Sequence, residues 1–186
     1  MSERGLTERL REIVEKKAVL HGEFILASGL KSNIYFDLRL ATLDPEGAYL
    51  IGKRIFELIN GKVDTIGGLT LGADPIVGAV AVVSHLEGKP IPGFIVRAET
   101  KEHGTQRRIE GYLPKGGKVA ITDDVVTTGG SLLKAIEAAE AEGCQVVKVV
   151  ALLDRHQGGS DELKLRGYDF TAILSAGPSG EIYINE

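Results

Sequence analysis

The sequence predicts an α/β fold: a parallel sheet flanked by helices on both faces, carrying a small N-terminal cap. Three observations lead there. From Asp64 onward, segments of strand length largely alternate with amphipathic segments of helix length. The strand segments Asp64–Leu69, Ile91–Arg97, Lys118–Thr122 and Gln145–Leu153 are near-continuous aliphatic runs, as strands covered on both faces are. Glycine makes up 24 of the 186 residues, well above the usual ~7%. These glycines are scattered, not gathered in a low-complexity tract, so many belong to turns or to places where backbone approaches a ligand.

The elements follow in order. Leu6, Leu10, Ile13 and Val14 share one face of a first helix, which Thr7 is placed to cap. Phe24–Leu26 and Ile34–Leu38 read as short strands; Tyr35 and Phe36 alternate, so at most one of them is expected to face a ligand. Asp44-Pro45 opens a helix with a capping carboxylate and a first-turn proline. That helix buries Leu50, Ile51, Ile55, Leu58 and Ile59 and stops at Asn60-Gly61. Asp74-Pro75 repeats the signature, which makes Asp74 most simply a helix cap. Ser131–Glu142 forms a helix ended by Gly143, and Tyr168–Leu174 a further strand. No repeat or linker interrupts the chain, so residues 1–186 are expected to be one domain. Residues 1–40 and the C-terminal end are expected to supply the cap.

Residues 98–110 stand apart: Ala98 and Ile109 are their only aliphatics, the rest being polar, charged or glycine. Such a stretch within a compact domain reads as a functional, mobile lid or a disordered insertion.

Composition excludes several classes. The net charge of −4 argues against nonspecific nucleic-acid binding, which needs a dense basic face. The single cysteine, Cys144, forms neither an internal disulfide nor a cysteine-based zinc site, and a reducing cytoplasm suits it. No segment approaches the ~18 apolar residues of a membrane span, and Met1–Gly5 lacks a signal-peptide core. A cytoplasmic protein with no membrane partner is therefore expected. His21, His85 and His156 have no metal-ligand spacing.

The chemistry is concentrated in Val119–Ser131. A buried strand delivers Asp123 and Asp124 to the carboxyl edge of the sheet, where open α/β folds bind ligands. Val125, Val126, Thr127, Thr128, Gly129, Gly130 and Ser131 follow. The hydroxyls, the glycine-freed amides and the start of the next helix make an anion cradle. Carboxylates beside a phosphate cradle suit a sugar phosphate, accepting from ribose hydroxyls or holding magnesium. The segment is neither a Walker loop nor a dinucleotide fingerprint, since it has no Gly-Lys-Ser/Thr and no Gly-x-Gly-x-x-Gly. A merely capped helix explains Ser131 and Thr128 but not two adjacent acids at the end of a buried strand.

This segment resembles the phosphoribosyl-pyrophosphate (PRPP) signature of type I phosphoribosyltransferases. Three further segments narrow the resemblance to the orotate phosphoribosyltransferase family. Phe24 to Asp37, with Ser28-Gly29, Lys31-Ser32 and Tyr35-Phe36-Asp37, is similar to that family's N-terminal substrate segment. Arg97, Lys101, His103-Gly104 and Ile109-Glu110-Gly111 are similar to its mobile catalytic loop, and Leu153-Asp154-Arg155 to its orotate-carboxylate site.

The resemblance implies transfer of the 5-phosphoribosyl group from PRPP to orotate, giving orotidine 5′-monophosphate and pyrophosphate in pyrimidine (UMP) synthesis. Asp123 and Asp124 would bind the ribose hydroxyls and residues 125–131 the 5′-phosphate. Thr127 and Arg155 would contact orotate, with Lys31 and Phe36 nearby. Arg97, Lys101 and His103 would meet the pyrophosphate across a homodimer with shared sites. Lys101 would be the lid's catalytic cation, and Mg2+ would arrive mainly on PRPP.

Three positions depart from the family pattern. Ala98 stands where many members have lysine and Ala27 where some do, and the Gly68–Asp74 turn lacks the aromatic-lysine pair of other members. The Gly67-Gly68 pair reads as a pyrophosphate loop. Read without the resemblance, Lys31 is as much surface as site, and Arg155 could pair with Asp154. The rival functions are a PRPP-binding regulatory protein and a purine-base phosphoribosyltransferase.

Overall fold

The computed structural model describes residues 3–25, 31–98 and 108–185. In chain order the helices are α1 (Glu3–Lys17), α2 (Arg39–Thr42), α3 (Pro45–Ile59), α4 (Ala73–Leu86), α5 (Gly130–Ala141) and α6 (Gly159–Leu165). The strands are β1 (Val19–Ile25), β2 (Lys31–Phe36), β3 (Thr65–Leu69), β4 (Gly93–Val96), β5 (Ile109–Gly111), β6 (Lys118–Val126), β7 (Gln145–Asp154), β8 (Phe170–Ala176) and β9 (Ile182–Ile184).

Seven strands form the main sheet in the order β5-β4-β3-β6-β7-β8-β9. The five central strands are parallel, as the aliphatic runs predict. The two edges are not: β5 and β9 pair antiparallel with β4 and β8. Both edge strands are only three residues long, too short to carry a buried-strand signature, and each shields an otherwise open edge.

Alternation along the central strands supplies two cores. Val150 and Leu152 of β7 and Ala120 of β6 face α1, α3 and α4, joining Leu10, Leu50, Ile55 and Val80. Val149, Ala151, Val119 and Ile121 face the other way, against Leu132, Ile136 and Ala139 of α5. Cys144 is buried in this second core and is free. Burying each such aliphatic contributes ~1.5–3 kcal/mol, so the middle of the sheet is the firmest part of the molecule.

The N-terminal signals need two corrections. Thr7 lies buried inside α1 and not at its N-terminus. Asp44 does cap α3, accepting from the Gly47 N–H at 3.0 Å, but Asp74 sits in the first turn of α4, whose N-cap is Gly72. The repeated Asp-Pro thus marks two helix starts with different registers.

β1 and β2 make a separate antiparallel ribbon. The C-terminal turn packs on it, since a Cβ on Gly180 would meet Ile34 and Val19 at 3.1 and 3.3 Å. Of residues 98–110, those from 99 to 107 lie outside the described residues. Ile109 and Glu110 belong to β5 and extend the sheet. Among the described residues, no helix is long and apolar enough to cross a membrane.

Candidate active site

The carboxyl ends of β3, β6 and β7 open onto three connected cavities, and β4 onto a fourth. The second, of about 330 Å³, is lined by Tyr35, Phe36, Asp37, Arg39, the Thr70–Gly72 turn, Asp123, Asp124 and Thr127. It shares Phe36 with the first, of about 560 Å³, beside Arg155. It shares Asp123, Val125, Thr127 and Ser131 with the third, of about 220 Å³, over the glycine loop. Thr70 links it to the fourth, of about 520 Å³, beside Arg97.

The acid pair lies within β6, not beyond it, because pairing with β7 continues through Val126↔Asp154. Asp123 is 6% exposed, and its Oδ1 accepts from the Asp124 N–H at 3.0 Å. Neighbouring strand residues point to opposite faces, yet the tertiary structure brings both carboxylates to one object. A Cβ on Gly72 would sit 2.6 Å from an Oδ1 of each. Burial and, second, the Asp124 charge push the Asp123 carboxyl well above the usual carboxylate range. Burial likewise raises Asp124, opposed by nearby donors and by Arg39. Both carboxyls therefore bind a proton more readily than a free aspartate does.

The glycine loop between β6 and α5 is a backbone device. Gly129 takes φ of +81°, a conformation that a side chain rarely adopts. No side chain caps α5, which leaves its first-turn amides available to an anion. Gly130 is not forced by the chain, since the nearest atom to a Cβ there would be Thr128 Oγ1 at 4.0 Å. Support comes from a segment that the sequence reading passed over. The Gly159 N–H donates to the Thr127 carbonyl at 2.8 Å. A Cβ on Gly159 would lie 2.5 Å from the Gly129 nitrogen and 2.6 Å from the Thr127 oxygen.

On the opposite side, the Arg155 guanidinium stacks 4.9 Å over the Phe36 ring. The Arg155 backbone N–H donates to the Val126 carbonyl at 3.0 Å. Arg155 does not pair with Asp154. The Asp154 carboxylate, 3% exposed, accepts from the His156 N–H at 2.8 Å and lies 3.4 Å from His156 Nδ1. Asp154 thus holds a turn in which His156 takes a φ of +50°.

Tyr35 and Phe36 both line the second cavity, against the expectation of one. Burial along β2 does alternate, Ser32, Ile34 and Phe36 being half-buried and Lys31, Asn33 and Tyr35 exposed. But β2 ends at Phe36 and the cavity wraps that end of the strand, so it meets both rings. Lys31 is exposed at the start of β2 and lines none of these cavities.

Arg97 lies at the end of β4, its N–H donating to the Arg108 carbonyl at 2.8 Å. It shares the fourth cavity with Asp74, Thr70 and Glu110. Thr70 Oγ1 donates to Asp74 Oδ2 at 2.8 Å. The Gly67-Gly68 pair is not a loop. Both glycines are in β3, where a Cβ would collide with Phe94 at position 67 and with the Thr122 carbonyl at position 68. The turn that meets the cleft is Thr70–Gly72. Lys101 and His103 lie outside the described residues.

Two cations escaped the sequence reading. Lys134 lines the third cavity one helical turn after Ser131, a spacing that could have found it. Arg39 lines the cavity of the acid pair, and only the position of α2 reveals that.

An acid pair under a backbone phosphate loop, at the carboxyl edge of a parallel sheet, defines a sugar-phosphate transferase site. The sequence pattern of the phosphoribosyl transferase domain matches residues 43–170, more than half of the chain. The orotate phosphoribosyltransferase of Aquifex aeolicus is 46% identical, over 90% of this chain and 93% of that protein. That of Bradyrhizobium diazoefficiens is 43% identical, over 95% and 97%. The crystal structure of Mycobacterium tuberculosis orotate phosphoribosyltransferase in complex with PRPP superposes with a TM-score of 0.78 at 34% identity, covering 91% of this chain and 96% of that one. The chain belongs to the orotate phosphoribosyltransferase family.

Proposed function

We propose that the chain transfers the 5-phosphoribosyl group of PRPP to orotate, releasing pyrophosphate and orotidine 5′-monophosphate for pyrimidine synthesis. The observation that carries this is the continuity of the cavities. The acid pair and phosphate loop open directly onto Phe36 and the stacked Arg155.

Asp123 and Asp124 accept hydrogen bonds from the ribose hydroxyls, and the amides of Thr127–Ser131 hold the 5′-phosphate. The planar fork of Arg155 takes the orotate carboxylate, while the Phe36 ring presents the flat base to the sugar. As the glycosidic carbon becomes cationic and the diphosphate gains charge, preorganised groups excluded from water stabilise both. Orotate carries its charge on the carboxylate. As N1 bonds to the ribose carbon, its proton leaves to the departing diphosphate or to water, so the protein's main task is to align the ring with the sugar. Lys101 and His103 would close over the diphosphate from the lid segment, and Arg97 would meet it from the end of β4.

Among the described residues no cluster of three or more His, Cys, Asp or Glu could hold a metal ion. The acid pair offers oxygen donors suited to a magnesium ion whose remaining ligands come from the diphosphate and water. Bound there, the ion would neutralise diphosphate charge.

We place the enzyme in the cytoplasm as a homodimer. The single cysteine, free and buried, suits a reducing compartment. Leu43 and Leu86, 69% and 73% exposed, join Tyr49 and Val82 on an apolar face of α3 and α4 that a second copy would cover.

The test is to mix protein, magnesium, PRPP and orotate and follow orotate absorbance, with adenine and hypoxanthine as competitors. Consumption of orotate supports the assignment. Purine turnover in preference to orotate replaces it, and PRPP binding without turnover of any base favours a regulatory protein.

A further inference from the structure

The cavity around the acid pair is poorly matched in charge to the substrate assigned to it. Asp37, Asp123 and Asp124 line it, yet PRPP carries a diphosphate and a phosphate. Among the described lining residues one cation faces this excess, Arg39. The other described cations serve neighbouring cavities: Lys134 the phosphate loop, Arg97 the far side of Thr70, and Arg155 the base. The Thr70–Gly72 turn, which presses against the acid pair, carries no basic side chain.

Arg39 opens α2, and its Nε donates to Asp37 Oδ1 at 2.8 Å. The two side chains are 45% and 22% exposed. Ion pairs at such exposure are weak and easily exchanged, so the guanidinium can leave Asp37 for a better anion without disturbing the fold. Its charge already reaches Asp124, working against the effect of burial on that carboxyl. Arginine suits this place because its planar fork can bind two phosphate oxygens at once.

Resting on the reading above, we propose that Arg39 is a substrate-binding cation of this site. It is parked on Asp37 when the cleft is empty and turns to the PRPP diphosphate when the acid pair engages the ribose. It takes over the neutralising role that the turn at residues 70–72 lacks. Asp37 is its positioning residue, holding the guanidinium at the rim and out of contact with the acid pair.

The experiment compares wild type with Arg39→Gln, Arg39→Lys and Asp37→Asn, using PRPP with magnesium as titrant in calorimetry and steady-state kinetics with orotate. Arg39→Gln is expected to weaken PRPP binding and raise its KM by about 10–100-fold, the loss of a charge-assisted contact. The orotate KM and the melting temperature should stay near wild type. Arg39→Lys should recover part of the affinity, and Asp37→Asn should bind PRPP at least as tightly as wild type. Unchanged PRPP affinity in Arg39→Gln overturns the proposal. So does a matched loss for both substrates with a lowered melting temperature, which is the mark of a structural role. Wild-type turnover of orotate is followed in parallel. A wrong function shows as a wild type without turnover, and a wrong role for Arg39 shows as an unaltered variant.

Discussion

Asp123, Asp124 and the glycine loop ride on the central strand of the sheet, with β3 and β7 on either side and α5 and α6 packed behind. Phe36 and Arg155 meet at the rim, where a two-stranded ribbon, the end of β7 and the C-terminal turn come together. The half proposed to hold the sugar phosphate is built from backbone and buried carboxylates, whereas the half proposed to hold the base is built from partly exposed side chains. The first half is constrained by close backbone contacts, such as those at Gly72 and Gly159. The second can change its specificity by replacing a few side chains without touching the core.

The largest expected effect falls on the buried half. Asp123→Asn should lower kcat/KM by about 10²–10³, in the range seen for lost transition-state contacts. It should at the same time stabilise the empty protein. A carboxyl whose folded pKa is raised binds more protons folded than unfolded, so stability falls as pH rises from the ordinary carboxylate range through the folded value. The asparagine variant lacks that loss. Its melting temperature should exceed wild type by roughly 2–4 °C per kcal/mol recovered at pH 8, with the difference shrinking toward pH 4. Thermal scans across that range check the sign, and a difference that grew on acidification would contradict the burial argument.

Next comes the support beneath the loop. Gly159→Ala drives a methyl into the Gly129 and Thr127 backbone, so the PRPP KM should rise about 10–100-fold, the equivalent of ~1.5–3 kcal/mol in displaced amide contacts. Gly130→Ala has no such collision within the chain. Its melting temperature should match wild type, so any loss of PRPP binding there reports the ligand's own approach.

In the base half, Arg155→Ala should raise the orotate KM by about 10-fold or more while the PRPP KM stays near wild type. Equal loss for both substrates would mean that the two halves are not separable. The smallest effect is expected at Lys134→Ala, an exposed cation at the phosphate cavity. There the PRPP KM should rise about threefold and the effect should fade at high salt.

Much of the buried half was legible in the chain, because its parts are contiguous. Asp123 through Ser131 form one strand–loop–helix unit, and local rules about glycine, hydroxyls and helix starts are enough to read it. The Asp44-Pro45 helix start was legible for the same reason. The failures share the opposite cause. The Gly67-Gly68 pair read as a loop, yet glycine there makes room for Phe94 and for the Thr122 carbonyl, contacts that no local rule contains. Gly159 supports a loop 30 residues upstream, and Arg39 reaches the acid pair only because α2 follows the ribbon back to the sheet edge. β5 and β9 were missed because three-residue edge strands carry too little pattern.

The chain's own order of residues determined the strand periodicity, the central parallel sheet and the acid-and-glycine segment, since each depends on neighbours within a few positions. Only the tertiary structure decided which turn presses on both carboxylates, which cation stands opposite them, and that Arg155 rests on Phe36. Those depend on distances between segments far apart in the chain, which packing sets and local sequence does not.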